Sequence, residues 1–89
     1  MAVSGAVLDS YAGEYQLAPT FIITIRREGD GLKGRATGQG DITLVAQTES
    51  RFAAQEVQAT VEFERDASGA VTRLMLTQGG RTLPAPKIK

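Results

Sequence analysis

Three groups of side chains in this sequence could do chemistry. Tyr11 and Tyr15 stand on either side of Gly13, a spacing that could present two phenol rings to a stacking ligand. Arg26, Arg27, Lys33 and Arg35 flank one charged turn, where guanidinium groups could hold a carboxylate or phosphate in bidentate fashion. Glu62, Glu64 and Asp66 recur at alternate positions, so on a strand their carboxylates share a face and could move a proton or hold a hard cation. Each group also has a plainer reading. The tyrosines could close one end of a β-barrel, ring bodies inward and hydroxyls at the rim, while Gly13 lets another backbone or ring pack close. The charged sets could be solvated outer strand faces with cross-strand ion pairs, each contributing about 0.2–1 kcal/mol. Glu28 and Asp30 beside the arginines, and Arg65 and Arg73 beside the acids, favour this second account.

The composition removes most other chemistry. The 89 residues include no cysteine and no histidine. Disulfides, Cys/His zinc sites, thiol nucleophiles and histidine bases are therefore excluded, and the chain reads as no enzyme, with no cofactor and no metal. Ten basic and ten acidic residues cancel. Such a balance gives no general attraction to nucleic acid or to an anionic membrane, so neither is expected as a partner. No apolar run reaches bilayer-spanning length. The opening "MAVSGAVLDS" has no basic n-region and does not read as a signal peptide, which leaves the native compartment open. "GRATGQG" at 34–40 is rich in glycine but lacks the Gly-Lys-Ser/Thr end of a phosphate loop. Its value is steric. Gly34, Ala36 and Gly38 on one face would let a sheet bend or leave room inside it.

The elements that must position these residues are strands, because apolar residues recur with period two almost throughout. "FIITIRR" (21–27), "LKGRAT" (32–37), "DITLVA" (41–46), "ATVEFER" (59–65) and "AVTRLMLTQ" (70–78) all alternate. Asp30-Gly31, "DASG" (66–69) and Gly79-Gly80 supply turns between them. "TESRFAAQEVQ" fits either a strand or one helical turn; a strand over 51–54 is preferred. Apolar positions in 70–78 change phase between Val71 and Leu74, which predicts either a bulge or a strand with apolar contacts on both faces. Pro84 and Pro86 should stop the last strand or confine it to an edge. About seven or eight short strands with turns between them make an antiparallel sandwich or barrel. A chain this small forms one domain, 1–89, burying roughly 60–65% of its unfolded surface, with ends 1–9 and 85–89 expected to fray.

Taken together, "YAGEYQLAPTFIITIRREGDGLKGRATGQ" and "VEFERDASGAVTRLMLTQGGR" resemble a small all-β domain of uncharacterised role. It follows the catalytic domain in many serine-β-lactamase-like hydrolases of the penicillin-binding-protein and class C-like group. Tyr11, Gly13, Tyr15, the strand from Phe21 and Ala36–Gln39 carry the likeness. The resemblance implies a lipocalin-like antiparallel barrel or half-barrel with no catalytic residues, acting as an accessory or in assembly. The Ser-x-x-Lys motif of the hydrolases is absent: none of Ser4, Ser10, Ser50 and Ser68 has a lysine three residues on.

Two functions follow as expectations. The first is a protein–protein interaction domain that self-associates or docks to a hydrolase domain through Ile22, Val45 and Met75, apolar residues on otherwise polar faces. The second is a carrier of a small apolar ligand, lined by Phe21, Ile23, Ile25, Ala36, Leu44 and Phe63, with Tyr11 and Tyr15 at its end.

Overall fold

The computed structural model describes residues 2–89. A short helix, α1 (Gly5–Tyr11), precedes β1 (Gly13–Ala18), β2 (Phe21–Glu28), β3 (Gly31–Ala36), β4 (Asp41–Ala46), β5 (Arg51–Ala54), β6 (Ala59–Arg65), β7 (Val71–Gln78) and β8 (Arg81–Pro86). The strands form one sheet in chain order, each antiparallel to the next. The end of the chain then returns to its start. Tyr15 bridges to Lys87, the Ile88 amide donates to the Glu14 carbonyl (2.8 Å), and the Glu14 amide donates to the Lys89 carbonyl (3.2 Å). The sheet is a nearly closed eight-stranded barrel, as the alternation predicts.

Tight turns hold the register. Glu28 pairs with Gly31, so the two loop residues are Gly29 and Asp30 rather than the expected Asp30-Gly31. Gly29 alone takes positive φ there (62°), the geometry of a turn with glycine at its first central position. Gly79 and Gly80 join β7 to β8 with both residues left-handed. The predicted bulge is present where Glu64 pairs with Arg73 but Arg65 pairs with Val71. The extra residue, Thr72, resets the phase, so Val71 packs against the core as Leu74 and Leu76 do.

Much of the two ends expected to fray is held against the barrel. Met1 lies outside the described residues, but 5–9 belong to α1, whose Leu8 is buried. Ser4 caps this helix by accepting from the Val7 amide. Arg27 ties it down through Asp9 (3.1 Å), and Arg65 through the Ser10 hydroxyl (2.7 Å). A two-turn helix is unstable by itself, so tertiary contacts decide its existence, and its local sign in the sequence is one N-cap serine, Ser4. At the other end Ala85 is buried and Lys87–Lys89 pair with β1. Pro84 sits within β8, and Pro86 is its last residue. Among the described residues β8 pairs with β7 along 81–86 and meets β1 only from Lys87 on, which leaves its proline-bearing stretch as an edge.

Candidate functional site

The barrel interior divides into a filled end and an open end. Four of the five aromatic side chains gather at the filled end. Tyr11 stacks on Phe63 (centroids 4.1 Å apart, planes 10° apart), while Tyr15 and Phe52 meet Phe63 edge-on at 5.7 and 5.8 Å. The Arg65 guanidinium lies 5.2 Å over the Tyr11 ring, between the aromatic cluster and α1. Both phenols are buried and each has a hydrogen-bond acceptor: Tyr15 Oη donates to the Tyr11 carbonyl (2.7 Å) and Tyr11 Oη to the Glu49 carbonyl (2.8 Å). Burial, with the neighbouring Tyr11, holds the Tyr15 hydroxyl well above the usual tyrosine range, so it stays protonated.

These rings are core. Tyr11, Tyr15 and Phe63 do not line the open space; their faces are occupied by one another. Gly13 explains the Tyr-x-Gly-x-Tyr spacing. Its φ is 149°, and a Cβ there would run into the Lys89 carbonyl and come within 2.8 Å of Lys87 Cε. Only glycine lets the returning chain close against β1.

At the other end the inward residues shrink. Register places Ile25 beside Gly34 and Gly34 beside Ile42, with Ile23 beside Ala36 and Leu44 beside Ala54. Small side chains cannot fill the barrel's width, and an apolar cavity of about 120 Å³ remains. Phe21, Ile23, Ile25, Ala36 and Leu44 line it, five of the six residues assigned to a ligand-holding interior, and Ile42, Val57, Ala59, Val61 and Leu76 complete the wall. Ile42 and Leu76 follow from the same alternation that gives Ile23 and Leu44. Val57 does not, because it lies between strands; the signal for it is an apolar residue in a polar loop. Gly38 is also misplaced by alternation: β3 ends at Ala36, and Gly38 sits in the following turn with φ 77°.

The polar residues that line the mouth are two glutamines and one arginine. Gln39 and Gln78 line it from the β3–β4 turn and the end of β7. Arg35 reaches the lining too, but its Nε donates to Asp41 (2.9 Å). Asp41 also takes Arg26 at 2.7 and 3.1 Å, and Arg26 takes Glu28 at 3.2 Å. Those arginine hydrogen bonds hold the Asp41 carboxyl down at about 2. Of the basic group, Arg26 and Arg35 therefore belong to a cross-strand ion network, while Arg27 pairs with Asp9 of α1 and Lys33 donates to the Thr43 hydroxyl (2.8 Å). The acids behave likewise: Glu64 pairs with Arg73 (2.6 Å), Glu62 lies 3.9 Å from Arg51, and Asp66 accepts from Ser68 and Ala70 within its turn. No cluster of acidic side chains fit to hold a metal ion occurs among the described residues.

Beside the mouth, the 55–58 segment is anchored through Glu56. Its carboxylate accepts from the Thr43 amide (2.8 Å) and hydroxyl (3.0 Å), and these bonds lower its pKa. Val57, 41% exposed, is thereby held at the cavity edge. The three residues expected to form an outer apolar patch do not adjoin. Ile22, Val45 and Met75 lie on β2, β4 and β7, no two of which are neighbours in the sheet.

The sequence model of one family, described as a domain of unknown function (DUF3471), matches residues 2–87. The chain belongs to the DUF3471 family. No curated protein and no solved structure matches it. The shared description gives this DUF3471 domain no activity, so its site must be judged on its own geometry. No helix among the described residues is long and apolar enough to cross a membrane.

Proposed function

We propose that this DUF3471 domain is a non-catalytic binding domain whose barrel mouth holds a small apolar group. One observation carries the reading: aromatic residues fill one end of the barrel, while Gly34, Ala36, Ala54 and Ala59 leave the other end hollow and apolar. A cavity of about 120 Å³ is close to the roughly 150 Å³ apolar cavity that admits benzene. Each buried methylene stabilises the complex by about 0.8 kcal/mol, so a five-methylene tail gives about 4 kcal/mol and a Kd on the order of 1 mM. Titrating 1-hexanol into the labelled protein tests this. The expected outcome is saturable shifts at the methyls of Ile23, Ile25, Leu44 and Leu76, with Tyr15 and Phe63 unmoved. Shifts confined to the exterior would overturn it.

A second reading is docking to a protein partner, either another copy or a hydrolase domain. Val45 supports it, being 40% exposed on β4 beside Ala53 of β5. The accessory relation to serine-β-lactamase-like hydrolases is part of the same proposal and rests on the resemblance of the tyrosine–glycine and turn motifs. Light scattering at high micromolar concentration tests self-association: a dimer lost on Val45→Lys supports it, and a strict monomer removes that form of it.

A further inference from the structure

Resting on the reading of the mouth as a ligand site, we infer that the ligand is an uncharged amphiphile: a short apolar tail in the cavity and a hydrogen-bonding, non-ionic head at Gln39 and Gln78. The cavity wall is apolar down to its rim, where these two carboxamides stand. Neither side-chain amide has a hydrogen-bond partner among the described residues, and each offers both a donor and an acceptor. A neutral amide, alcohol or ester head can use both kinds of group.

A charged head finds no uncommitted charge. No acidic side chain lines the cavity. Its one cation, Arg35, spends its Nε on Asp41, and the surrounding set of Arg26, Arg35, Asp41 and Glu28 is balanced in charge. A carboxylate drawn to Arg35 would meet a guanidinium whose charge Asp41 already offsets, while losing its own hydration. An ammonium would lose hydration with no anion to replace it. Neutral heads avoid both losses.

Three probes that share a pentyl tail test this by NMR titration: hexanamide, hexanoate and pentylammonium, with benzene as the headless control. The expected order places hexanamide severalfold tighter than either ion. Gln39→Ala combined with Gln78→Ala should weaken hexanamide roughly tenfold, the loss of two hydrogen bonds, and leave benzene binding unchanged. Benzene binding by the double variant also shows that its fold is intact. Hexanoate or pentylammonium binding as tightly as hexanamide would overturn the uncharged head. An unchanged hexanamide affinity in the double variant would overturn the role of the two glutamines. In both cases benzene still binds, so the cavity reading survives; if benzene and all three probes fail, it is the cavity reading that falls.

Discussion

Gly34 is the residue at which stability and binding should move in opposite directions. Its φ is not left-handed, so the backbone accepts a side chain. A Cβ built there meets Ile25 Cδ1 at 3.4 Å and Leu44 Cδ1 at 3.5 Å, ordinary contact distances with no backbone atom in the way. Gly34→Ala therefore adds one methyl to apolar surroundings, worth about 0.8 kcal/mol. It also removes conformational freedom from the unfolded chain, worth about 0.4–1 kcal/mol. The sum is a stabilisation of about 1–2 kcal/mol, a rise in Tm of about 5–10 °C for a domain of this size. Urea unfolding should show a higher midpoint at unchanged slope. The same methyl narrows the cavity, so benzene should bind more weakly. Gly34→Leu, which puts four carbons into a space of about 120 Å³, should abolish benzene binding while the barrel stays folded. Most substitutions that remove binding do so by damaging the fold, and this one should not. A Gly34→Ala protein destabilised by more than about 0.5 kcal/mol would refute the open space beside Gly34, since compatible glycine replacements stabilise. A Gly34→Leu protein that binds benzene as before would refute the location of the site.

Three further outcomes test the frame around the cavity. Gly13→Ala forces a side chain into the Lys89 carbonyl from a left-handed backbone, so it should cost about 1–3 kcal/mol and speed hydrogen exchange at the Ile88 amide before the rest of the barrel. Tyr15→Phe removes a buried 2.7 Å hydrogen bond, costing about 1 kcal/mol at neutral pH. Because the folded state raises the Tyr15 pKa, its contribution is present below the ordinary tyrosine value near 10 and is lost above it; the variant should show a shallower alkaline loss of stability in urea titrations at pH 8–11. Asp41 has the opposite sign. Its lowered pKa makes its contribution present above the ordinary carboxylate value near 4 and lost as pH falls toward about 2, so Asp41→Asn should lower the urea midpoint at pH 7 more than at pH 2.

The strands and most of the lining were legible because both follow from one physical rule, the alternation of side chains across a pleated sheet. Arg51–Ala54, ambiguous between strand and helical turn, is β5, with Phe52 buried and Arg51 outward beside Glu62. Alternation cannot say how far along the barrel an inward residue sits. Phe63 and Leu44 both point inward, yet one joins the aromatic end and the other lines the cavity, a distinction made by register. The closure was hidden for a different reason. α1 and the return of Lys87–Lys89 to β1 depend on a few long-range contacts, such as Arg27 with Asp9, Tyr11 on Phe63 and Gly13 under Lys89, which leave no periodic trace. Ile22, Val45 and Met75 were each legible as outward apolar residues, but their separation on β2, β4 and β7 appears only once strand order is known. Gln39 and Gln78 counted toward the resemblance but carried no sign of a site, since an isolated glutamine at a turn has no pattern until the fold brings two of them to one rim.

The most direct test of the central claim is a crystal of the protein pressurised with xenon, a gas that enters dry apolar cavities. The account predicts one strong xenon peak among Ile25, Gly34, Leu44 and Leu76, and none within the cluster of Tyr11, Tyr15 and Phe63. A mouth collapsed and filled by its own side chains, or xenon only on the outer face of the sheet, would contradict it.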